Sequence, residues 1–203
     1  MAQQTTDLAP ERILPPGAHL ADPAPLGLAG FAMTTFFLSI VNAGILPKTV
    51  EGVVLGLALF YGGLAQLLAG MWEFAKGNTF GAVAFSSYGA FWLSFWYLVA
   101  HTDLSAAGAD AEKGVGTYLL GWTIFTAYMM LASFRVSGVV AAVFVALTVT
   151  FALLTVGALA TSDSWTKIGG YIGILTAIFA WYGSFASVFN FTNKRAAVPV
   201  WPM

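Results

Sequence analysis

Residues 138–160, GVVAAVFVALTVTFALLTVGALA, run from end to end without a charged residue or a proline. A helix rises about 1.5 Å per residue, so this stretch is long enough to cross a hydrocarbon core of roughly 30 Å. Backbone groups in lipid must be satisfied inside the segment, which makes the stretch a membrane-spanning helix rather than a strand. Five more runs of the same kind lie around it, near residues 25–43, 53–74, 79–100, 115–134 and 168–190.

The bulk composition agrees. Of 203 residues, 59% are hydrophobic and 8% are charged, whereas soluble domains carry roughly 25% charged residues. The fold class is therefore all-α: a polytopic membrane protein whose main partner is the lipid bilayer. A net charge of −1 provides no electrostatic footprint for nucleic acid. The absence of cysteine excludes disulfides and thiol nucleophiles.

Three segments follow from this pattern: a polar N-terminal tail over 1–22, a six-helix transmembrane domain over 23–192, and a short C-terminal tail over 193–203. The tail holds Asp7, Glu11, Arg12 and Pro15-Pro16-Gly17, and it lacks the basic-then-apolar order of a signal peptide. Charge and helix breakers mark the connectors: Pro47-Lys48 with Glu51, Lys76-Gly77-Asn78, Asp103 to Lys113, Arg135 with Gly138, and Asp163 with Lys167. Only the third is expected to exceed a tight turn. An even number of spans puts both termini on one side. Arg12, Lys76, Arg135, Lys194 and Arg195 fall on that side, against Lys48, Lys113 and Lys167 opposite. The positive-inside rule then predicts cytoplasmic termini, and the expected location is a plasma (inner) membrane.

Lipid supplies no hydrophobic force between helices, so close backbone approach must hold them together. Gly52 with Gly56 and Gly169 with Gly173 have the GxxxG spacing, and Gly62-Gly63 and Gly70 slim the second span. Most of these are expected to pack inside one bundle, and a share between protomers.

Catalysis in the membrane would require ionisable or nucleophilic groups at depth, and the middles of the spans lack them. Glu73 and His101, the latter beside Asp103, close their spans and are expected at the interface. Ser87, Ser94 and Ser184 have no histidine in the same span to act as base. His19 and His101 are too few for a metal site. No catalytic residue, metal or cofactor is expected, and the chain is not read as an enzyme. Uncharged polarity remains: Thr34, Thr35, Gln66, Ser86, Ser87, Tyr88, Thr148, Ser184 and Ser187. Hydroxyls can bond back to their own helix, but Gln66 must find another helix or a wet cavity. A narrow path lined by such groups suits a small solute, so spacing leads to a channel or carrier and leaves the solute open.

One set of motifs goes further. Asp22-Pro23-Ala24-Pro25-Leu26-Gly27-Leu28, followed by Gly30-Phe31-Ala32-Met33-Thr34-Thr35, resembles the NPAPLGL signature of the acetate uptake transporter family, the succinate/acetate permeases. Phe60-Tyr61-Gly62-Gly63, Ala65-Gln66, Glu73, Lys76-Gly77-Asn78-Thr79-Phe80-Gly81, Ser87-Tyr88-Gly89 and Leu147-Thr148-Val149 continue the likeness in order. The resemblance covers Asp22 to about Asn190.

It implies six helices per protomer in a homohexameric ring, each protomer with its own pore for acetate and related small carboxylates. The family's central constriction maps onto Phe31, Tyr88 and Leu147. On that mapping Phe31 and Leu147 strip water and the Tyr88 hydroxyl donates to a carboxylate. Pro23 and Pro25 open the first helix, whose early N–H groups would attract an anion at the pore mouth. Ala180 matches a small residue that sets substrate room, and Gln66 with Thr34 or Thr35 are pore-side donors. Asp22 departs from the family asparagine. It caps a helix equally well but, once ionised, repels anions. Ser187 replaces an acidic residue found in some relatives. Two other readings stand beside this one: transport of ammonium or another small solute, and a non-transporting membrane scaffold.

Overall fold

A computed structural model of the chain describes residues 17, 19–108 and 110–202. The tail over 1–22 therefore lies mostly outside the described residues. Helices α1 (Ala24–Asn42), α2 (Gly52–Leu59), α3 (Gln66–Lys76), α4 (Thr79–His101), α5 (Asp110–Ser133), α6 (Gly138–Leu159) and α7 (Asp163–Thr192) form the bundle. A π-helical turn, Phe60–Ala65, joins α2 to α3 without a break, so the elements make six spans long and apolar enough to cross a membrane.

The π-turn follows from glycine. A Cβ on Gly30 of α1 would lie 2.5 Å from the Tyr61 carbonyl oxygen, and one on Gly62 would lie 2.6 Å from Thr34 Oγ1. The α1 backbone thus presses directly on this turn, and the wider winding accommodates it; such bulges are frequent at functional sites. Beyond it Gln66, Ala69, Gly70 and Glu73 share the buried face of α3, as a helical repeat of three to four requires.

Connectors are built as their residues dictate, with two departures. Gly77, at φ +80°, ends α3, and the Asn78 side chain then accepts the Gly81 N–H at 3.2 Å to cap α4. Ser137 does the same for α6 through the Val140 N–H, 3.3 Å away. The first connector, however, runs from 43 to 51 and includes a 3-10 turn, Lys48–Val50, so it is more than the expected tight turn. Pro47 bars direct continuation into the next helix. Conversely, α5 and α7 start at Asp110 and Asp163, earlier than the charges suggested. Acids in a first helical turn face the positive end of the helix dipole and belong to the helix rather than to the loop.

α1 lies centrally, against α7, α3 and the π-turn, while α6 sits between α5 and α7. Across the bundle α4 meets α6 through rings: Phe80 with Phe144 at 5.2 Å and Phe91 with Phe151 at 5.3 Å between centroids. Side-chain packing there leaves internal space that close backbone packing would have removed.

The glycine motifs divide. Gly169 and Gly173 pack inside, against Leu154 and Ser39. Gly52 and Gly56 are exposed, and a Cβ on either would meet nothing within 4 Å, so this motif does not pack within the protomer. The C-terminal segment is docked rather than trailing. Gly138 donates to the Trp201 carbonyl at 2.7 Å, Tyr182 to the Pro199 carbonyl at 2.7 Å, and Asn190 Nδ2 to the Val198 carbonyl at 2.7 Å.

Candidate functional site

Two cavities lie on either side of a narrow, ring-lined region of the bundle, called the waist below. The first, of about 90 Å³, lies among α1, α3, α4 and α6, with Gln66, Glu73, Asn78, Tyr88 and Val140 in its wall. The second, of about 450 Å³, opens toward the other end, where Lys48, Glu51, Glu112 and Asp163 surround it. Phe31 and Leu147 line both.

Each residue at the waist is held from behind. Phe31, Tyr88 and Leu147 are 4%, 3% and 3% exposed. The Phe31 and Tyr88 rings lie 5.7 Å apart, and Phe125 and Phe144 pack on Tyr88 at 5.4 and 6.0 Å. The Tyr88 oxygen sits 2.9 Å from Thr126 Oγ1, which itself donates to the Trp122 carbonyl at 2.7 Å. With the threonine proton so engaged, the tyrosine is the donor of the pair. In this arrangement the Tyr88 proton is engaged by Thr126, and the waist presents rings, an aliphatic side chain and a phenol lone pair.

The entrance differs from expectation as well. Asp22 Oδ1 accepts the Ala24 N–H at 3.2 Å and pairs with Lys76 Nζ at 2.6 Å. Its charge is thus answered by a cation, which weakens the repulsion toward anions that the aspartate implied. Leu26 and Gly27 both donate to the Pro23 carbonyl at 3.1 Å. Proline has no N–H, so the first turn of α1 holds no spare donor for an anion. Pro23 is buried, and neither it nor Asp22 lines a cavity.

Of the remaining expected residues, the structure brings Gln66 to the first cavity and Thr35 to the second. Thr34 instead donates to the Gly30 carbonyl at 2.9 Å and packs behind the pathway. Ala180 is fully buried in the core cluster with Phe31 and Leu147 and lines neither cavity. Ser184 bonds across to the Pro25 carbonyl at 2.7 Å, tying α7 to α1, and Ser187 bonds back to Gly183.

Glu73 requires a correction. Expected at the interface, it is fully buried on the first cavity, and neither carboxyl oxygen has a hydrogen-bond partner. Its spacing from Gln66, two helical turns on the same face, was the signal in the sequence. Position near the end of a span was the wrong guide, because the α3–α4 turn folds inward over it: a Cβ on Gly81 would lie 2.8 Å from the Glu73 carboxyl carbon. Thr126 and the unpartnered indole nitrogen of Trp92, a residue of the second cavity, also escaped sequence reasoning. Among the described residues no cluster of three or more His, Asp or Glu could hold a metal.

Known proteins share this fold. The chain superposes on the structure of the bacterial acetate channel SatP with a TM-score of 0.81 at 39% identity, over 89% of this chain and 99% of that one. It is 39% identical to the succinate-acetate/proton symporter SatP of Escherichia coli, across 89% of this chain and 95% of the relative. Acetate permease A of Emericella nidulans is 42% identical over 89% of this chain and 65% of its own length. Ammonia transport outward protein 2 of Saccharomyces cerevisiae is 42% identical over 90% of this chain and 67% of its own length. These relatives are named as carriers and channels, not enzymes. The sequence profile of the GPR1/FUN34/yaaH family matches residues 5–203, and the chain belongs to that family of integral membrane proteins.

Proposed function

We propose that the protein conducts acetate and related small carboxylates, succinate included, across a membrane, through one pathway per protomer. The observation that carries this reading is the meeting of two cavities at Phe31 and Leu147 with Tyr88 beside them. An aromatic and aliphatic waist rejects hydrated inorganic ions, because nothing there replaces a hydration shell. A short carboxylic solute has an apolar end that such a waist accepts. The names of the relatives, an acetate permease and a succinate-acetate symporter, support the same solute class.

On this reading Gln66 and Thr35 are solute contacts on either side of the waist. Asp22 and Pro23 shape the mouth by fixing the start of α1, and Ala180 and Thr34 support the waist from behind. The protomer assembles as a homohexamer in the plasma membrane. The exposed Gly52–Gly56 face and the exposed Phe60, Leu64 and Leu68 favour contact with another copy or with lipid. The excess of Lys and Arg on the side of the termini favours a cytoplasmic position for both.

The test is uptake of labelled acetate into proteoliposomes, against protein-free liposomes that report free diffusion of acetic acid. Flux above that control supports the reading, and no excess flux rejects it. A second arm with labelled methylammonium examines ammonium transport, which the likeness to the ammonia transport protein favours.

A further inference from the structure

The first cavity contains a carboxyl group with no hydrogen bond of good geometry, the Asn78 amide and the Lys76 ammonium being the nearest polar groups to it. Glu73 is 0% exposed, and both its oxygens lack a hydrogen-bond partner, as does Gln66 Oε1 in the same wall. Nearby charge is already committed. Lys76, one turn along α3, pairs with Asp22 at 2.6 Å and not with Glu73. The faces of α1, α4 and α6 around the cavity offer Leu28, Phe80, Phe85, Val140, Val143 and Phe144, with the Tyr88 phenol the only titratable group among the described residues they bring.

A buried polar group without a partner is costly, and such groups in native structures are nearly always met by protein, water or ligand. The volume of about 90 Å³ holds roughly six to nine water-sized spheres. That is room for a solute of a few non-hydrogen atoms. A carboxylic solute here places a second carboxyl beside the first, and two carboxyls sharing an apolar site cannot both ionise. One proton held between them makes a short, charge-assisted O–H···O bond instead.

We propose that Glu73 binds the carboxyl group of the solute as a carboxyl–carboxylate pair sharing one proton, with the Gln66 amide orienting the solute toward Phe31 and Leu147. The proton comes from water, carried in either by the solute or by Glu73, and no bond other than O–H is made or broken. The pair makes proton uptake a condition of solute binding. It also explains why a buried carboxylate stands in a wall that is mostly apolar. The proposal rests on the carboxylate reading of the pathway and adds the group that recognises the solute and its proton.

The experiment is equilibrium binding of radiolabelled acetate to the purified protein in lipid nanodiscs, from about pH 6.5 to about pH 9. The wild-type dissociation constant is expected to rise toward about tenfold per pH unit at the alkaline end, as one required proton becomes scarce. Glu73→Gln offers an N–H but has no proton to share, so its dissociation constant should change by less than about twofold over the range. Glu73→Asp should keep the slope with weaker binding, and it replaces the glutamine variant if that protein fails to fold. A flat wild-type profile, or a glutamine variant with the wild-type slope, overturns the proposal. Absence of acetate binding by the wild type at every pH overturns the carboxylate reading itself.

Discussion

The Tyr88 hydroxyl and Thr126 Oγ1 lie 2.9 Å apart, and the threonine donates its own hydrogen bond to the Trp122 carbonyl. Tyr88 is thus anchored at its tip by α5 while its ring borders the pathway. Removing the hydroxyl should leave the waist in place, because the ring contacts with Phe31, Phe125 and Phe144 are unaffected. Tyr88→Phe is expected to lower stability by about 0.5–1.5 kcal/mol, the net value of one hydrogen bond. Acetate flux should stay within about threefold, since a group already bonded elsewhere contributes well under 1 kcal/mol to passage. A much larger loss of flux at normal thermal stability would mean that the hydroxyl turns to the solute.

Leu147 separates the cavities from the side of α6. Leu147→Ala removes the aliphatic part of that wall and should merge the two spaces. Propionate and lactate should then compete better with labelled acetate in proteoliposomes. A thermal-melt measurement should register a loss of about 2–5 kcal/mol, typical for truncating a buried leucine. An unchanged substrate range in a folded variant would remove Leu147 from the pathway.

Gly89 and Gly70 set how closely α3 approaches α4. A Cβ on Gly89 would sit 2.7 Å from the Leu67 backbone nitrogen, and one on Gly70 would sit 2.5 Å from the Ser86 nitrogen. Backbone cannot give way as a side chain can, so Gly89→Ala should destabilise by about 1–3 kcal/mol. Gly56→Ala, with nothing within 4 Å of the added atom, should leave the protomer's melting unchanged and show any effect only in oligomer size by native mass measurement.

The docked C-terminal segment supplies acceptors to the start of α6, where helix N–H groups lack intrahelical partners. Asn190 holds the segment by exchanging two hydrogen bonds with Val198, at 2.7 and 2.8 Å. Asn190→Ala should release it, and amide hydrogen exchange at Gly138 and Val139 should rise while the middle of α6 stays protected. Unchanged exchange at those two amides would show that the segment is held by other contacts, the stacking of Trp201 on Tyr182 among them.

The spans and their order were legible in the chain because each rests on local information. An uninterrupted apolar run must be a helix in lipid whatever surrounds it. Phe31, Tyr88 and Leu147 stood out through motifs several residues long. Gly77-Asn78 spelled its turn for the same reason: a left-handed glycine and a side-chain cap act within four residues.

Partnership across helices could not be read that way. Asp22 could cap a helix or repel an anion, and only the placement of Lys76, 54 residues away, decided what its charge does. Thr34 and Thr35 are neighbours of the same type. The helical turn between adjacent residues sends one behind the pathway and the other into it. Glu73 looked like an interfacial acid from its position along the chain, and the α3–α4 turn folded it out of water. The sequence by itself determined a six-span helical membrane protein, and its motifs pointed to a small-solute pathway. Tertiary structure alone decided which polar groups find partners inside the protein and which, like Glu73, are left facing a cavity, because a hydrogen bond between helices depends on distances that no local pattern encodes.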